Sequence, residues 1–292
     1  MQETEIEITI KFKESIFTTI RKRKSIRTYQ PVSISPEKKK ILQSGMDALG
    51  SDLYRFVWFE RESRDNLVER LGTYGVIKGA QVFLIGILRN DTENQKDAEI
   101  QFGYGFKQLI LKATELSLGT CWIAGTYISA LFASYIELHD NERIAMISPV
   151  GIPARNRHLI AKVATRSADS KSRKSWNELF FDGNVNSPLS KKNAGAYALP
   201  LEMVRLSPSA VNSQPWRVIR DAKGFHFYAS NTKYLSFGKG QFLRHNDMGI
   251  SLTHLDLACR ELGLDGKWIE DHQFSLIDSK LEYIRTWRIK NI

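Results

Sequence analysis

The sequence predicts an α+β fold of two similar halves, each a mixed or antiparallel sheet flanked by helices, packed together like the subunits of a dimer. Three observations carry this expectation. The chain has 292 residues, 42% of them hydrophobic, which at roughly 100–200 residues per domain is enough for two domains with sizeable cores. Strand-like apolar runs and amphipathic helical stretches follow one another along the chain. The chain also repeats itself. YRFV at 54–57 aligns with WRVI at 216–219, a shift of 162 positions from Tyr54 to Trp216. KATELSLGTCWI at 112–123 aligns with ACRELGLDGKWI at 258–269, a shift of 146 from Trp122 to Trp268. The expected halves are residues 1–165 and 166–292.

The elements follow in order. Ile6, Ile8 and Ile10 alternate with polar residues and predict a short strand. Residues 14–23 read as a helix with Ile16, Phe17 and Ile20 on one side. Ser25 to Tyr29 leaves it in an extended path, and Pro31 supports the break. Ser35-Pro36-Glu37 opens a helix with proline in its first turn, running to about Leu49 and ending near Gly50. Tyr54–Glu60 reads as a strand and residues 65–71 as a helix. Gln81–Leu88 is a continuous apolar run, hence a buried strand. Residues 97–118 form the longest helical period, through Phe102, Phe106, Leu109, Ile110 and Ala113, and Gly119 stops it. Ala145–Val150 is another strand. Residues 154–175, polar and basic, are the expected linker. Residues 176–183 read as a helical start closed by Gly183. A helix through Leu206 then gives way to a polar loop, and a strand begins at Trp216. Asp221 to Gly224 predicts a hairpin turn before Phe225–Tyr228. Residues 247–262 form a second long helix, and the tail holds strands over 274–277 and 281–289.

The formal net charge of +10 suits nucleic acid, an anionic membrane surface or a phosphate-bearing cofactor. The basic clusters, Arg21 to Lys24 with Arg27 and Lys171 to Lys174, lack interleaved aromatics, and no nucleic-acid signature accompanies them. The expected partner is a small molecule rather than nucleic acid. No run approaches the ~18 apolar residues of a membrane helix, and the N-terminal stretch carries no secretory pattern. Cys121 and Cys259 are the only cysteines, which fits a reducing, cytoplasmic setting. The six histidines, at 139, 158, 226, 245, 254 and 272, show no metal-ligand spacing, so no metal site is expected. Gly238-Lys239-Gly240 is too short for a phosphate loop. Gly103-Tyr104-Gly105 permits close approach of a ligand or of a neighbouring helix.

The chemistry concentrates at Ser207 to Trp216. A polar loop between two apolar elements is where sites are commonly built. Pro208 and Pro215 fix φ and remove two donors. Asn212 and Gln214 each carry an amide that donates and accepts at once, which suits a flat heterocycle. By composition alone the stretch reads first as an ordinary helix-to-strand connection. The repeat adds a distinction. Pro208 to Gln214 falls opposite Met46 to Asp52, where the amides are absent, and the 23–27 basic cluster has no counterpart around 176–183. One composite site is expected, from the first half's basic cluster and the second half's amide loop, with a mirror-related place lacking both.

Arg23-Lys24-Ser25-Ile26-Arg27 resembles the R-R-S-x-R motif of FMN-dependent nitroreductases. Pro208-Ser209-Ala210-Val211-Asn212-Ser213-Gln214-Pro215-Trp216 is similar to that family's P-S-x-x-N-x-Q-P-W loop, and Glu115 to Ile123 to its E-L-G-L-G-T-C-W-I segment. Arg173-Lys174 resembles a basic pair near the family's C-terminal end. The order of motifs resembles the tandem subgroup, in which two nitroreductase-like halves of one polypeptide imitate the usual homodimer and keep one site, so a monomer with an internal pseudo-dimer is implied. The resemblance implies FMN held by Arg23, Ser25 and Arg27 at its phosphate and ribityl chain, with Arg173 helping. Arginine suits this because its planar fork meets phosphate oxygens bidentately. Pro208, Ser209 and Asn212 are implied along the isoalloxazine ring, with Asn212 at its pyrimidine edge and Gly119 and Thr120 near the other side. The implied activity is NAD(P)H-dependent reduction of nitroaromatics, quinones or related acceptors by ping-pong hydride transfer, the cofactor carrying the chemistry and no catalytic side chain being assigned. Two other readings stand beside it: a flavin-binding protein without turnover, acting as sensor or store, and a basic nucleic-acid-binding protein.

Overall fold

The computed structural model describes residues 6–60, 77–124, 132–155, 172–230, 240–271, 273 and 280–290. The helix expected at 65–71, the strand at 274–277, most of the 154–175 linker, the 165/166 boundary, His158 and His272 lie outside the described residues.

The first half contains α1 (Ile16–Lys22), α2 (Pro36–Leu49), β1 (Tyr54–Glu60), β2 (Val82–Arg89), α3 (Gln95–Glu115), β3 (Gly119–Thr120) and β4 (Glu142–Gly151). The second contains β5 (Phe180–Asp182), α4 (Lys191–Ala194), α5 (Ala198–Arg205), β6 (Trp216–Arg220), β7 (Gly224–Ser230), α6 (Gly240–Glu261), β8 (Gly266–Ile269) and β9 (Leu281–Ile289). The first sheet has the order β1-β2-β4-β3, and the second β5-β6-β7-β9-β8. Without β5 the two orders correspond strand for strand. Both sheets also carry a register shift in their central pair, at Gly86/Ile87 and at Phe227/Tyr228. The shared strand order agrees with two similar halves, and the shared bulge is a further likeness that the sequence repeat did not specify.

Two expected elements differ. Residues 6–12 form no strand. Among the described residues no strand pairs with this arm; its backbone is held by side chains of α3. Gln108 Oε1 accepts from Thr9 N at 3.0 Å and Ile10 N at 3.1 Å, and Lys112 Nζ donates to Lys11 O at 2.9 Å. The helix expected over 176–183 is a single 3₁₀ turn, Trp176–Glu178, followed by β5. Phe180 and Phe181 pair in parallel with Val218 and Ile219, because the exposed edge of β6 offers a ladder that a short helix would leave unpaired.

The long helices α3 and α6 pack against each other at the centre. Gly103 and Gly249 are related by the same shift of 146 that relates the repeats. A Cβ on Gly103 would lie 2.3 Å from Asn246 O, and one on Gly249 would lie 2.1 Å from Ile100 O. Ile100 and Asn246 are themselves 146 apart, so the contact is reciprocal, as at a twofold dimer interface. Glycine is required at both positions because the helix backbones touch there. This settles the 103–105 motif in favour of helix packing at Gly103.

The cores interlock across this crossing. Ile100 and Tyr104 of α3 belong to the core beneath the second sheet, with Trp216, Phe227, Leu252 and Trp287. Phe242 and Leu243 of α6 belong to the core beneath the first, with Phe102, Phe106 and Leu84. Each such side chain is worth about 1.5–3 kcal/mol when buried, so separating the halves would open both cores. Next to the crossing, His245 is fully buried, with Nδ1 2.8 Å from Glu99 and Nε2 3.2 Å from Glu282. Burial alone would lower its pKa, but the Glu282 and Glu99 partners outweigh burial and raise it.

Two outcomes are expected. Gly103→Ala forces the central helices apart and destabilises the chain by about 1–3 kcal/mol; an unchanged denaturant midpoint would show that the crossing tolerates a Cβ. For His245, a raised folded pKa means stability that is present below the unfolded value and is lost as pH rises through the folded one. Wild type should therefore lose stability toward alkaline pH, and His245→Gln should flatten that limb in melts taken across the pH range.

Candidate functional site

One wall of the site begins where α1 ends. Arg23 follows the helix with extended backbone, φ −61° and ψ 124°, and the chain then runs beside β3. Ser25 bridges Thr120 in parallel, and Ile26 N donates to Thr120 O at 2.8 Å. A Cβ on Gly119 would stand 2.8 Å from the Ile26 side chain, so glycine permits this approach. Arg27 O accepts from Lys78 N at 2.9 Å, which fixes the far end of the segment. Cys121 is buried beside it. Burial raises its thiol pKa, against the opposing pull of Arg27, a Ser25 hydrogen bond and Arg23.

The second wall is the loop between α5 and β6. Three of its non-glycine residues hold positive φ: Val211 at 46°, Asn212 at 55° and Gln214 at 47°. For a β-branched valine this is a rare conformation, costing on the order of 1–3 kcal/mol and persisting only where surroundings impose it. The restraints are visible. Ala210 N donates to the buried Asp247 carboxylate of α6 at 2.9 Å. Gln214 N donates to Ser209 Oγ at 2.9 Å, Gln214 Nε2 to Asn212 O at 3.2 Å, and Lys174 N to Gln214 Oε1 at 2.7 Å. Fully buried Trp216 anchors the exit into β6. Ala210 packs against the first half's core, so the loop reaches across the seam between halves.

The walls meet through arginines. Arg173 Nη1 donates to Asn212 Oδ1 at 3.1 Å, and Asn212 Nδ2 donates to Ser172 O at 3.1 Å. The Asn212 amide is thus turned to residues 172 and 173. From the first wall, Arg23 feels Arg173 directly. Burial and then the Arg173 charge bring the Arg23 pKa down to about 10. Arg23 Nη1 is buried without a hydrogen-bond partner among the described residues. Two like charges gathered around an unsatisfied guanidinium nitrogen fit a phosphate-bearing ligand, whose oxygens supply both acceptors and counter-charge.

The structure therefore brings Arg23, Ser25, Arg27, Gly119 and Thr120 together, and joins Arg173, Asn212 and Ser209 on the facing side. Pro208 lies at the loop's entrance, next to Ser209. Sequence reasoning left out Ser172 and Asp247, which hold the loop. Asp247 carried a signal, as an acid at the start of a predicted apolar helix. Ser172 had none.

The mirror-related place can also be found. A cleft of about 410 Å³ is lined by Ala48, Leu49, Ser51, Tyr54, Gln101 and Gln108, together with the N-terminal arm. Under the repeat shifts these residues correspond to Ala210, Val211, Ser213, Trp216, Asp247 and His254. Among the described residues no lysine, arginine or histidine lines it. Among the described residues no group of His, Cys, Asp and Glu could hold a metal ion, and no helix is long and apolar enough to cross a membrane.

The family described as "Putative TM nitroreductase" matches residues 15–259. No curated protein matches the chain. Among solved structures, a "putative nitroreductase" from Thermotoga maritima MSB8 is similar over 96% of this chain and 95% of its own, at 17% identity and a TM-score of 0.58. That likeness shows the fold: nitroreductase-like, α+β, with two sheets flanked by helices. An FMN-dependent nitroreductase from Clostridium difficile R20291 aligns with 48% of this chain and 88% of its own, at 19% identity and a TM-score of 0.40. A "putative NADH oxidase" from Clostridium acetobutylicum covers 48% of this chain and 89% of its own, at 22% identity and a TM-score of 0.39.

The loop's geometry makes its own prediction. Gln214→Ala removes the acceptor of Lys174 N and one restraint on the positive-φ residues. The expected loss is about 1–3 kcal/mol, confined to the loop and the 172–174 segment. Hydrogen exchange should quicken at Lys174 while the amides of β6 and β7 keep their protection; unchanged exchange at Lys174 would count against the tie.

Proposed function

The chain belongs to the family described as "Putative TM nitroreductase", and from that premise we propose that it is an FMN-dependent oxidoreductase with one flavin site per chain, at the seam between its halves. The observation that carries this reading is the composite wall itself: Arg23, with an unsatisfied buried nitrogen, set against Arg173, which the amide loop holds in place.

In this reading Arg23, Ser25 and Arg27 hold the phosphate and ribityl chain, and Arg173 closes on them from the linker side. Pro208, Ser209 and Asn212 lie along the ring, and Gly119 and Thr120 stand near its other side. Bound FMN would supply the hydride chemistry, which no side chain of the site can perform. The protein's part is orientation and charge. The arginines neutralise phosphate, and the strained loop presents a fixed rather than adaptable surface, because Asp247, Gln214 and Lys174 hold it before any ligand arrives. Preorganisation of that kind lowers the ordering cost of binding. The proposed reaction is reduction of a nitroaromatic, quinone or related small-molecule acceptor with electrons from NADH or NADPH, in ping-pong order. The unequal sites support a monomeric working unit, since the cationic wall is built within one chain.

The purified protein should be yellow, and anaerobic mixing with NADH or NADPH should bleach the bound flavin. Bound flavin that neither donor bleaches would leave a binding protein without turnover. Arg27→Ala is expected to weaken FMN retention by roughly tenfold to a hundredfold, as a charge-assisted contact is lost. Asn212→Ala, which removes one acceptor of Arg173, should weaken it by about threefold to tenfold. Equal flavin occupancy in both variants and wild type, measured by absorbance after desalting, would reject the composite site.

A further inference from the structure

The charged residues beside the helix crossing carry opposite polarity in the two halves. Glu99 of α3 and His245 of α6 are related by the 146-residue shift, and they touch each other, with His245 Nδ1 2.8 Å from Glu99 Oε2. A residue that meets its own equivalent lies on the pseudo-twofold axis. The register shift follows Ile144 in β4 and Tyr283 in β9, so Arg143 matches Glu282 and Met146 matches Arg285. Within the first half, Arg143 Nη2 donates to Glu99 Oε1 at 3.1 Å. Within the second, His245 Nε2 lies 3.2 Å from Glu282 Oε1. One half thus has its acid on the helix and its base on the strand. The other has its base on the helix and its acid on the strand.

The other contacts between the halves follow the same rule. Lys96 Nζ lies 3.2 Å from Glu282 Oε1. The equivalent contact joins Phe242 to Arg143, whose guanidinium carbon stands 4.7 Å from the ring centroid. Asp97 pairs with Arg285. The residues equivalent to them, Leu243 and Met146, belong to one apolar core. Each of these contacts across the axis joins opposite charges, a cation and a ring, or two apolar groups.

The duplicated fold does not demand this arrangement. Two first-half faces set about the same axis would oppose Glu99 to Glu99, Lys96 to Arg143 and Asp97 to Met146. Two second-half faces would oppose His245 to His245, Glu282 to Phe242 and Arg285 to Leu243. Such facings bring like charges together or bury a charge against an apolar group. Both are costly away from water, and the seam is dry: His245 is fully buried, and the Arg285 side chain is 8% exposed. Only a first half facing a second half satisfies every one of these positions.

We propose that this seam is a partner-selecting surface: the first half's face accepts a second half, of its own chain or of another copy, and rejects another first half. Specificity is a difference between competing pairings, and repulsion in the wrong ones contributes alongside attraction in the right one. A homodimer cannot hold such inverted polarity, because each substitution would appear on both sides of its axis. Unlike pairing is also what brings Arg23, at the end of α1, to the side facing the 208–216 loop. The seam therefore governs whether the composite wall assembles. The selection rests on the seam contacts alone and is independent of the ligand that the wall holds.

The test converts the seam of one half into that of the other in the full-length chain. One set, Phe242→Lys, Arg244→Ala, His245→Glu and Glu282→Arg, gives the second half the residues of the first; Ala98 is the equivalent of Arg244. The other set, Lys96→Phe, Glu99→His and Arg143→Glu, gives the first half those of the second. Each set alone opposes like faces and should lower the melting temperature by roughly 6–20 °C. Both sets in one chain restore unlike faces with the polarity reversed, and should regain most of that loss. A converted second half that leaves the melting temperature unchanged overturns the proposal. So does a chain with both sets that melts no higher than the chains carrying one. Where a single set prevents folding, a cooperative melt recovered by the combined chain sustains the selection, and its absence overturns it.

Discussion

The structure depends on the backbone contact between α3 and α6 at Gly103 and Gly249. Two helices can approach this closely only where no Cβ intervenes, and the two glycines occupy equivalent places in the repeat. The crossing lets Ile100 and Tyr104 enter one core and Phe242 and Leu243 the other. It also decides what the helices present further along. Past the crossing, α3 and α6 together offer the surface on which α1 rests, and α1 ends in Arg23. The cationic wall is therefore a consequence of how two helices meet more than of any local motif.

The duplication has been used unevenly. Equivalent positions on the two sides of the pseudo-twofold axis carry opposite chemistry. On one side lie the strained loop, Asp247 and His254. On the other lie Ala48 to Ser51, Gln101 and Gln108, with the N-terminal arm drawn across them and held by Gln108, Lys112 and Glu115. In a homodimer every substitution appears at both sites at once. Fusing the halves removes that constraint, so one site can accumulate positive charge while the other serves as a seat for the arm. Concentrating cations at one seam also fits the basic net charge of the chain, since several of those charges are buried around a single place.

Much of the fold was legible before the structure. The amphipathic period of residues 97–118, the apolar run of β2, the hairpin at 221–224 and the strand at 281–289 are local signals, and each became the element expected. The aligned segments foretold two similar halves, and the structure adds that their sheets share one strand order. Two signals misled. The alternation of Ile6, Ile8 and Ile10 reports a face packed on α3, with no strand alongside, because an extended arm and a strand share the same side-chain period. Phe180 and Phe181 sat in a stretch read as helical, and only the free edge of β6 makes them a strand. The loop of Pro208 to Trp216 was visible as a special stretch, but not its positive-φ backbone at Val211, which comes from restraints by Asp247 and Lys174 far away in the chain.

The sequence by itself determined the order of elements, the repeat and its register, and the residue types gathered at 23–27 and 208–214, because hydrophobic period, turn chemistry and internal similarity are written over short distances. Tertiary structure alone decided which of those residues share a site. Arg23 comes within electrostatic reach of Arg173, and Asn212 turns to Ser172 and Arg173, because α3, α6 and α1 pack as they do. Lys107 shows the reason most clearly. In the sequence it is one lysine within an amphipathic helix, where solvent exposure is the natural expectation. Its burial arises only when helices from the two halves close over it.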